Sequence, residues 1–339
     1  MEVKIVFVES ENAGRLILGR SAEEHLEREF AAFECVRVRE GESVEAGEGE
    51  TVAVIPLDMP LVTVRDIERA EECMKKHKLG ELVLGEKETG ARLLKGEGGR
   101  KGYFLTSPHF VKVDGAKALS LVYNRMQERV ISRLLDAGAE IADSRNTVID
   151  DTVEVEAGAV ILPFSRLEGR TTVRAGARIE GAYLRDCTVE RGARIVMSHL
   201  ADTRVGAGSE VGPFARLRGA DVGEGCRVGD FVEIKNSRFL DGAKSAHLAY
   251  IGDATVGART NIGCGTVFCN YDGKRKHRTE VGEECFIGAN VNLVAPVKVG
   301  DGAFVAAGTT VTEDVEADAF VIGRCRQQEK CRKDKNKDR

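Results

Sequence analysis

IDDTVEVEAGAVILPFSRLEGRTTVRAGARIE, residues Ile149 to Glu180, decides the fold. Aliphatic residues recur in it at every sixth position: Ile149, Val155, Ile161, Leu167, Val173 and Ile179. An amphipathic helix needs spacings of three and four, and a half-buried strand needs two. A period of six, with Gly or Ala shortly before many of the aliphatics, fits short flat strands joined by tight corners, where a small residue lets the backbone turn. After slips of one residue the series resumes through Val205, Val211, Leu217, Val222, Val228 and Ile234. It closes on Val281, Ile287, Leu293, Val299, Val305 and Val311. Three hexads make a triangular coil of about eighteen residues, and stacking at about 4.8 Å turns roughly ten coils into a prism about 45–50 Å long. One coil cannot bury itself, so a long array is required. The expected fold from about Val148 to about Ile322 is a left-handed parallel β-helix of hexapeptide repeats, an exception to the usual crossover hand.

The rest of the composition agrees. Aromatic residues are only 5% of the 339 and Trp is absent, which suits a repetitive stack of small side chains. A formal net charge of −5 argues against a nucleic-acid partner. Nine scattered cysteines without a CxxC pair argue against a zinc site or disulfide framework and for reduced thiols in a cytoplasmic protein. MEVKIVFVES does not read as a signal peptide, and no stretch approaches the roughly 20 apolar residues of a membrane span. The last sixteen residues, Arg324 to Arg339, lean basic, either as a solvated tail or as a contact for a phosphorylated ligand.

The period yields twice, at FLDGAKSAHLAY (Phe239 to Tyr250) and at TVFCNYDGKRKHR (Thr266 to Arg278). Breaks in a regular scaffold are where function tends to sit. The second is expected to leave the coil and project toward another subunit of a homotrimer; the alternative is a tolerated insertion. Arg218 and Lys235 each follow an inward aliphatic, Leu217 and Ile234, three repeats apart, which puts both cations on one face in neighbouring coils, with backbones about 5 Å apart. Such a pair suits an anion between them, although Glu233 is available to offset the charge. His247 follows Ala246, read as its repeat's inward residue, and an open imidazole with a near-neutral pKa suits a general base. Tyr250, Asn261 and Asn270 are placed to position a polar ligand. His199, His247 and His277 lack the spacing of a zinc set, so no metal is expected on the prism.

GPFARLRGA, VGDFVEIKNS, AHLAYIGDATVG, TNIGCGT, CNYDGKRKHRT and LVAPVKVGDGAFVAAGTTVTEDV together resemble the acetyltransferase half of the bifunctional bacterial N-acetylglucosamine-1-phosphate uridyltransferase / glucosamine-1-phosphate acetyltransferase family. The resemblance runs from roughly Gly138 to Gln328. It implies transfer of acetyl from acetyl-CoA, as co-substrate, to glucosamine-1-phosphate, an amino-sugar phosphate, in the UDP-N-acetylglucosamine supply for cell-wall synthesis. It implies His247 as catalytic base supported by Glu233, and Arg218, Lys235, Tyr250, Asn261 and Lys276 as substrate contacts. Asn270, Tyr271, Ala307 and Arg324 fall on acetyl-CoA contacts. Cys264 stands where the family has Ala, and Ala289 where it has Ser, both beside acetyl-CoA; the lost hydroxyl is worth on the order of 1 kcal/mol of binding.

Residues 1–115 read as a small α/β domain of reduced nucleotidyltransferase type, 116–138 as a linker helix, 139–323 as the β-helix and 324–339 as the basic tail. KIVFV and TVAVIPL are strand-like; SAEEHLEREFAAF and VRDIERAEECMKKH are helix-like, with Ser21 and Thr63 as caps. IPLDMPL resembles the strand end that carries a magnesium-binding aspartate, here Asp58, so Mg2+ is expected only if uridyl transfer survives. The first strand runs instead into ESENAGR, where Glu9 and Glu11 repel a triphosphate. The alternatives to an acetyltransferase are a non-catalytic sugar-nucleotide-binding scaffold and a bifunctional enzyme that keeps the uridyltransferase reaction.

Overall fold

The computed structural model describes residues 3–86, 89–96 and 99–329, and the chain divides into two compact units, residues 1–154 with 167–170 and residues 155–166 with 171–339. The basic tail beyond residue 329 lies outside the described residues.

In the front unit six strands form one sheet in the order Cys35–Val38, Val3–Val8, Thr51–Pro56, Arg92–Lys95, Glu81–Leu84, Tyr103–Leu105. Ile5, Phe7, Ala53, Ile55, Leu82 and Leu93 are fully or almost fully buried on one side of it, beside Leu26 and Phe30, and Ile67 and Ala70. Helix α1 (Ala22–Glu29) opens on a capping box in which Ser21 and Glu24 satisfy each other's backbone N–H. Thr63 and Asp66 do the same for α2 (Val64–His77), which ends on Lys78 in the left-handed region. Helix α3 (Ala116–Asp136) ends through Ala137 and Gly138, whose φ of 92° only glycine adopts freely; the N–H of Ala139 then returns to the Leu134 carbonyl at 3.0 Å. The first unit runs past residue 138 because α3 packs on strands Glu140–Ile141 and Val148–Ile149, and Gln127 Oε1 accepts the Ile149 N–H at 3.3 Å.

From Glu140 onward the described residues form the expected left-handed parallel β-helix, with parallel sheets of ten, nine and eleven strands as its three faces. We call the face that carries Arg216–Arg218 and Glu233–Lys235 the first, the one with Asp221–Val222 the second, and the one with Lys244–His247 the third. Leu184, Leu200, Leu217, Ile234, Ile251, Phe268 and Leu293 stack inside the first face with no exposure. Coil length is not constant. Val160 pairs with Arg178, Arg178 with Arg194, and Leu217 with Ile234, so that coils take eighteen, sixteen or seventeen residues, apart from the loop-bearing coil in which Ile262 pairs with Ile287. Those changes are the one-residue slips of the sequence series.

The prism departs from its sequence pattern at two places. The inward residue beside His247 is Ser245, not Ala246: Ser245 is fully buried and registers with Val228 and Ile262. A serine in an aliphatic column hides the period. The second break is also shorter than Thr266 to Arg278. Val267–Cys269 remains a strand of the first face, Thr279–Val281 resumes on the second, and only 270–278 leaves the coil.

Candidate functional site

On the first face the register places Arg218 opposite Lys235 and Glu233 opposite Tyr250. Arg218 is ion-paired to Glu233 through Nη2, while its buried Nε has no partner among the described residues. An unpaired guanidinium N–H out of water is costly and points to a missing acceptor. The excursion 270–278 adds a third cation. Its tip is held by Asp272, which accepts the N–H groups of Lys274 and Arg275 at 2.7 Å and bonds the His277 ring at 2.7 Å. Those bonds, the Arg275 N–H foremost, draw the Asp272 carboxyl down to about 2. Asn270 anchors the base of the loop: it is buried, its amide donates to Asp253 Oδ2 at 2.5 Å, and it lies 3.4 Å from the Tyr250 hydroxyl. Lys276 is thereby brought against Lys235, whose ammonium pulls the Lys276 pKa below its usual value, with Asp253 and Tyr250 opposing. Three cations converge, faced by Glu233 and Asp253. Asp253, which the sequence reading passed over, sits one residue after the strand Tyr250–Gly252, with no motif to single it out.

A second set of residues follows a single corner, where the third face turns into the first. The N–H of Gly265 bonds the Leu248 carbonyl, that of Asn290 the Cys264 carbonyl, and that of Gly308 the Ala289 carbonyl. His247, Cys264, Ala289 and Ala307 therefore climb one edge, coil by coil, at about 4.8 Å per step. Arg324 closes the column by donating to the Ala307 carbonyl. The backbone there has no room to spare: a Cβ on Gly263 would come 2.6 Å from the Ala289 nitrogen, and one on Gly288 2.5 Å from that of Ala307. The side chains along this edge are small, with Cys264 and Ala307 exposed and Ala289 half-buried. Gly263 and Gly265 spend their N–H groups on the carbonyls of Ile287 and Leu248, whereas the Cys264 N–H makes no hydrogen bond among the described residues.

His247 is exposed, and its ring makes no hydrogen bond among the described residues. Within one chain Glu233 does not reach it; Glu233 holds Arg218, and the residue in register with His247 is Asp230. Asn261 also stands apart from the cation cluster, on the third face between Lys244 and Phe286. Tyr271 points away, 60% exposed, its hydroxyl on the Gly273 carbonyl. Between the cation patch and the His247 column runs a ridge of exposed apolar side chains, Phe214, Phe231 and Leu248, with φ of 58°, 58° and 42°. The two rings stack at 5.5 Å.

The front unit does not fit a magnesium ion at Asp58. That carboxylate is 1% exposed, accepts the Ser10 hydroxyl at 2.6 Å and faces the Lys112 ammonium at 3.7 Å. One oxygen lacks a partner, but no group of three His, Cys, Asp or Glu side chains suited to a metal occurs among the described residues. An ammonium already stands where a dication would be needed. Glu9, Glu11, Glu23 and Glu40 line a cavity of about 410 Å3 with Arg37 as its cation, which disfavours a triphosphate.

Comparison with known proteins agrees with the fold and with the resemblance. The family model "Bacterial transferase hexapeptide (six repeats)" matches residues 278–313. Bifunctional protein GlmU of Exiguobacterium sp. is 44% identical over 230 residues, 66% of this chain and 51% of the relative. That of Sorangium cellulosum is 48% identical over 205 residues, 60% of this chain and 43% of the relative. Among solved structures, the UDP-N-acetylglucosamine acyltransferase of Campylobacter jejuni is 19% identical with a TM-score of 0.39, covering 54% of this chain and 71% of its own, too distant a likeness to carry chemistry across. The chain is a hexapeptide-repeat protein similar to proteins named Bifunctional protein GlmU, and it spans about half their length.

Proposed function

We propose that this protein is an N-acetyltransferase that moves acetyl from acetyl-CoA to the amine of glucosamine-1-phosphate, in the cytoplasmic supply of UDP-N-acetylglucosamine. The observation that carries the proposal is the convergence of Arg218, Lys235 and Lys276 around an unpaired Arg218 Nε. A phosphate monoester answers that surplus of donors better than water does.

In this reading Arg218, Lys235 and Lys276 hold the phosphate and Tyr250 contacts the sugar, while Asn261, on the third face, would contact it from a neighbouring copy. Glu233 is a positioning residue for Arg218. His247 accepts the proton as the amine nitrogen attacks the thioester carbonyl carbon. The C–N bond forms, the C–S bond breaks, and the proton passes to the departing thiolate, so no acyl-enzyme is needed. The free N–H of Cys264 is the donor for the carbonyl oxygen as charge develops on it. Ala289, Ala307 and Arg324 continue the cofactor path along the same corner, and Asn270 and Tyr271 would complete it from the loop of a neighbouring copy.

The apolar ridge supports a homotrimer with its site between subunits. Phe214, Phe231 and Leu248 are more than half exposed and occupy left-handed backbone that disfavours bulky side chains. A second copy packed on that ridge would cover them and bring its own His247 column toward this chain's cation patch. Among the described residues no helix is long and apolar enough to cross a membrane. The surroundings of Asp58 and the acidic cavity count against a surviving uridyltransferase reaction.

The test is thiol release from acetyl-CoA that depends on glucosamine-1-phosphate. With Lys235→Ala the KM for the sugar phosphate is expected to rise at least about tenfold, as for loss of one charge-assisted bond, with a smaller change in kcat. Release that ignores the sugar phosphate, or a Lys235→Ala enzyme with an unchanged KM, would remove the proposed role of the patch.

A further inference from the structure

A cavity of about 300 Å3 in the front unit is lined by His25, Arg28 and Glu29 of α1, Arg129 and Arg133 of α3, and Asp151. Three guanidiniums share the one aspartate. Arg20 Nε lies 2.7 Å from Asp151 Oδ2, Arg28 bonds the same oxygen, and Arg133 Nη2 lies 3.2 Å from Oδ1 and 3.1 Å from the Asp151 carbonyl. The fourth guanidinium, of half-buried Arg129, has the neutral Leu61 carbonyl as its oxygen partner. Burial draws its pKa below the usual guanidinium range, with Glu29 and Asp66 opposing. Neither carboxylate is free: Glu29 accepts the Val64 N–H, and Asp66 is bound by Thr63, Ser107 and His109. Burial, first of all, lowers the His25 pKa, against the hydrogen bond between its Nε2 and the Ile17 carbonyl at 2.8 Å, which raises it.

Three guanidiniums of the lining, Arg28, Arg129 and Arg133, thus face two carboxylates, Glu29 and Asp151, around a space open to a ligand, while Arg20 adds its charge to Asp151 from outside the lining. An ion-pair network built only to hold elements together gains most when its charges balance, because an uncompensated, partly desolvated cation is costly. The geometry points to an anion site here, for the phosphoryl group of a small phosphorylated metabolite, with Arg28, Arg129 and Arg133 as donors and Asp151 as their internal counter-ion. The negative charge of a phosphoryl group answers the surplus cation, and planar guanidiniums suit its oxygens. The volume stands at the lower end of small-molecule sites, about 300–1,000 Å3. All these residues belong to the front unit and none to the cation patch of the prism, so this site does not depend on the acetyl-transfer reading.

Calorimetric titration of the full-length chain with inorganic phosphate, at fixed ionic strength, tests it. An Arg218→Ala/Lys235→Ala background silences the prism patch. Saturable binding is expected at one site per chain, weakened at least about tenfold by Arg129→Gln or by the half-exposed Arg28→Gln, the loss of one charge-assisted bond. Circular dichroism checks that each variant is folded, and Arg28→Gln decides the matter if Arg129→Gln is not. No saturable binding in that background, or equal affinity in a folded arginine variant, overturns the proposal.

Discussion

His247 makes no internal hydrogen bond and is exposed, so replacing it reads chemistry and not folding. His247→Ala should lower kcat by about 10²–10⁴, the usual worth of a general base, while stability stays within about 0.5 kcal/mol by thermal unfolding. Glu233→Gln should raise the KM for the sugar phosphate, because Arg218 loses the carboxylate that orients it; an effect on kcat alone would assign Glu233 to His247 instead. The face and height of Arg218 and Lys235 were legible because a period of six fixes both: the two do pair in register. Ser245 was not, since a small polar side chain inside the prism breaks the aliphatic series that marks it. The pairing of Arg218 with Glu233 was visible only as a possibility, because rotamers decide which of two neighbouring cations a carboxylate takes.

At the scale of elements the loop 270–278 is the piece most open to manipulation. Its clasp is the Asp272 carboxylate, held down to about 2 by the N–H groups of Arg275 and Lys274 and by His277. A depressed carboxyl contributes stability that is fully present above its unfolded value of 3.8 and is lost as pH falls through about 2. Carbon-detected NMR should therefore find Asp272 titrating near 2, and the loop should keep its resistance to proteolysis from neutral pH down to about 4. Asp272→Ala should open the loop at neutral pH and raise the KM for the sugar phosphate through Lys276; unaltered proteolysis and KM would refute the clasp. The composition of the loop announced it, but its limits did not, because Val267 to Cys269 continue the coil despite their place in the broken series. The cluster around Asp151 was not legible at all. Its arginines come from segments more than a hundred residues apart in sequence, and periodicity carries no information about such contacts.

For the whole molecule, the prism is one long column of buried aliphatics. Ile251→Ala, at a fully buried position, should cost about 2–5 kcal/mol, visible in a denaturant midpoint. Phe231→Arg should instead leave the fold intact and release the assembly, with light scattering falling from the mass of a trimer to that of one chain and activity falling with it. The architecture as a whole was readable from the hexads and the proposed activity from the resemblance of the motifs, while the corner column and the cation patch are the geometry that supports it. The most direct measurement is thiol release from acetyl-CoA with glucosamine-1-phosphate, for wild type and His247→Ala side by side. An acetyltransferase working at this corner predicts steady release by the wild type and a loss of about a hundredfold or more in the variant. No release by the wild type, or equal release by both, would contradict it.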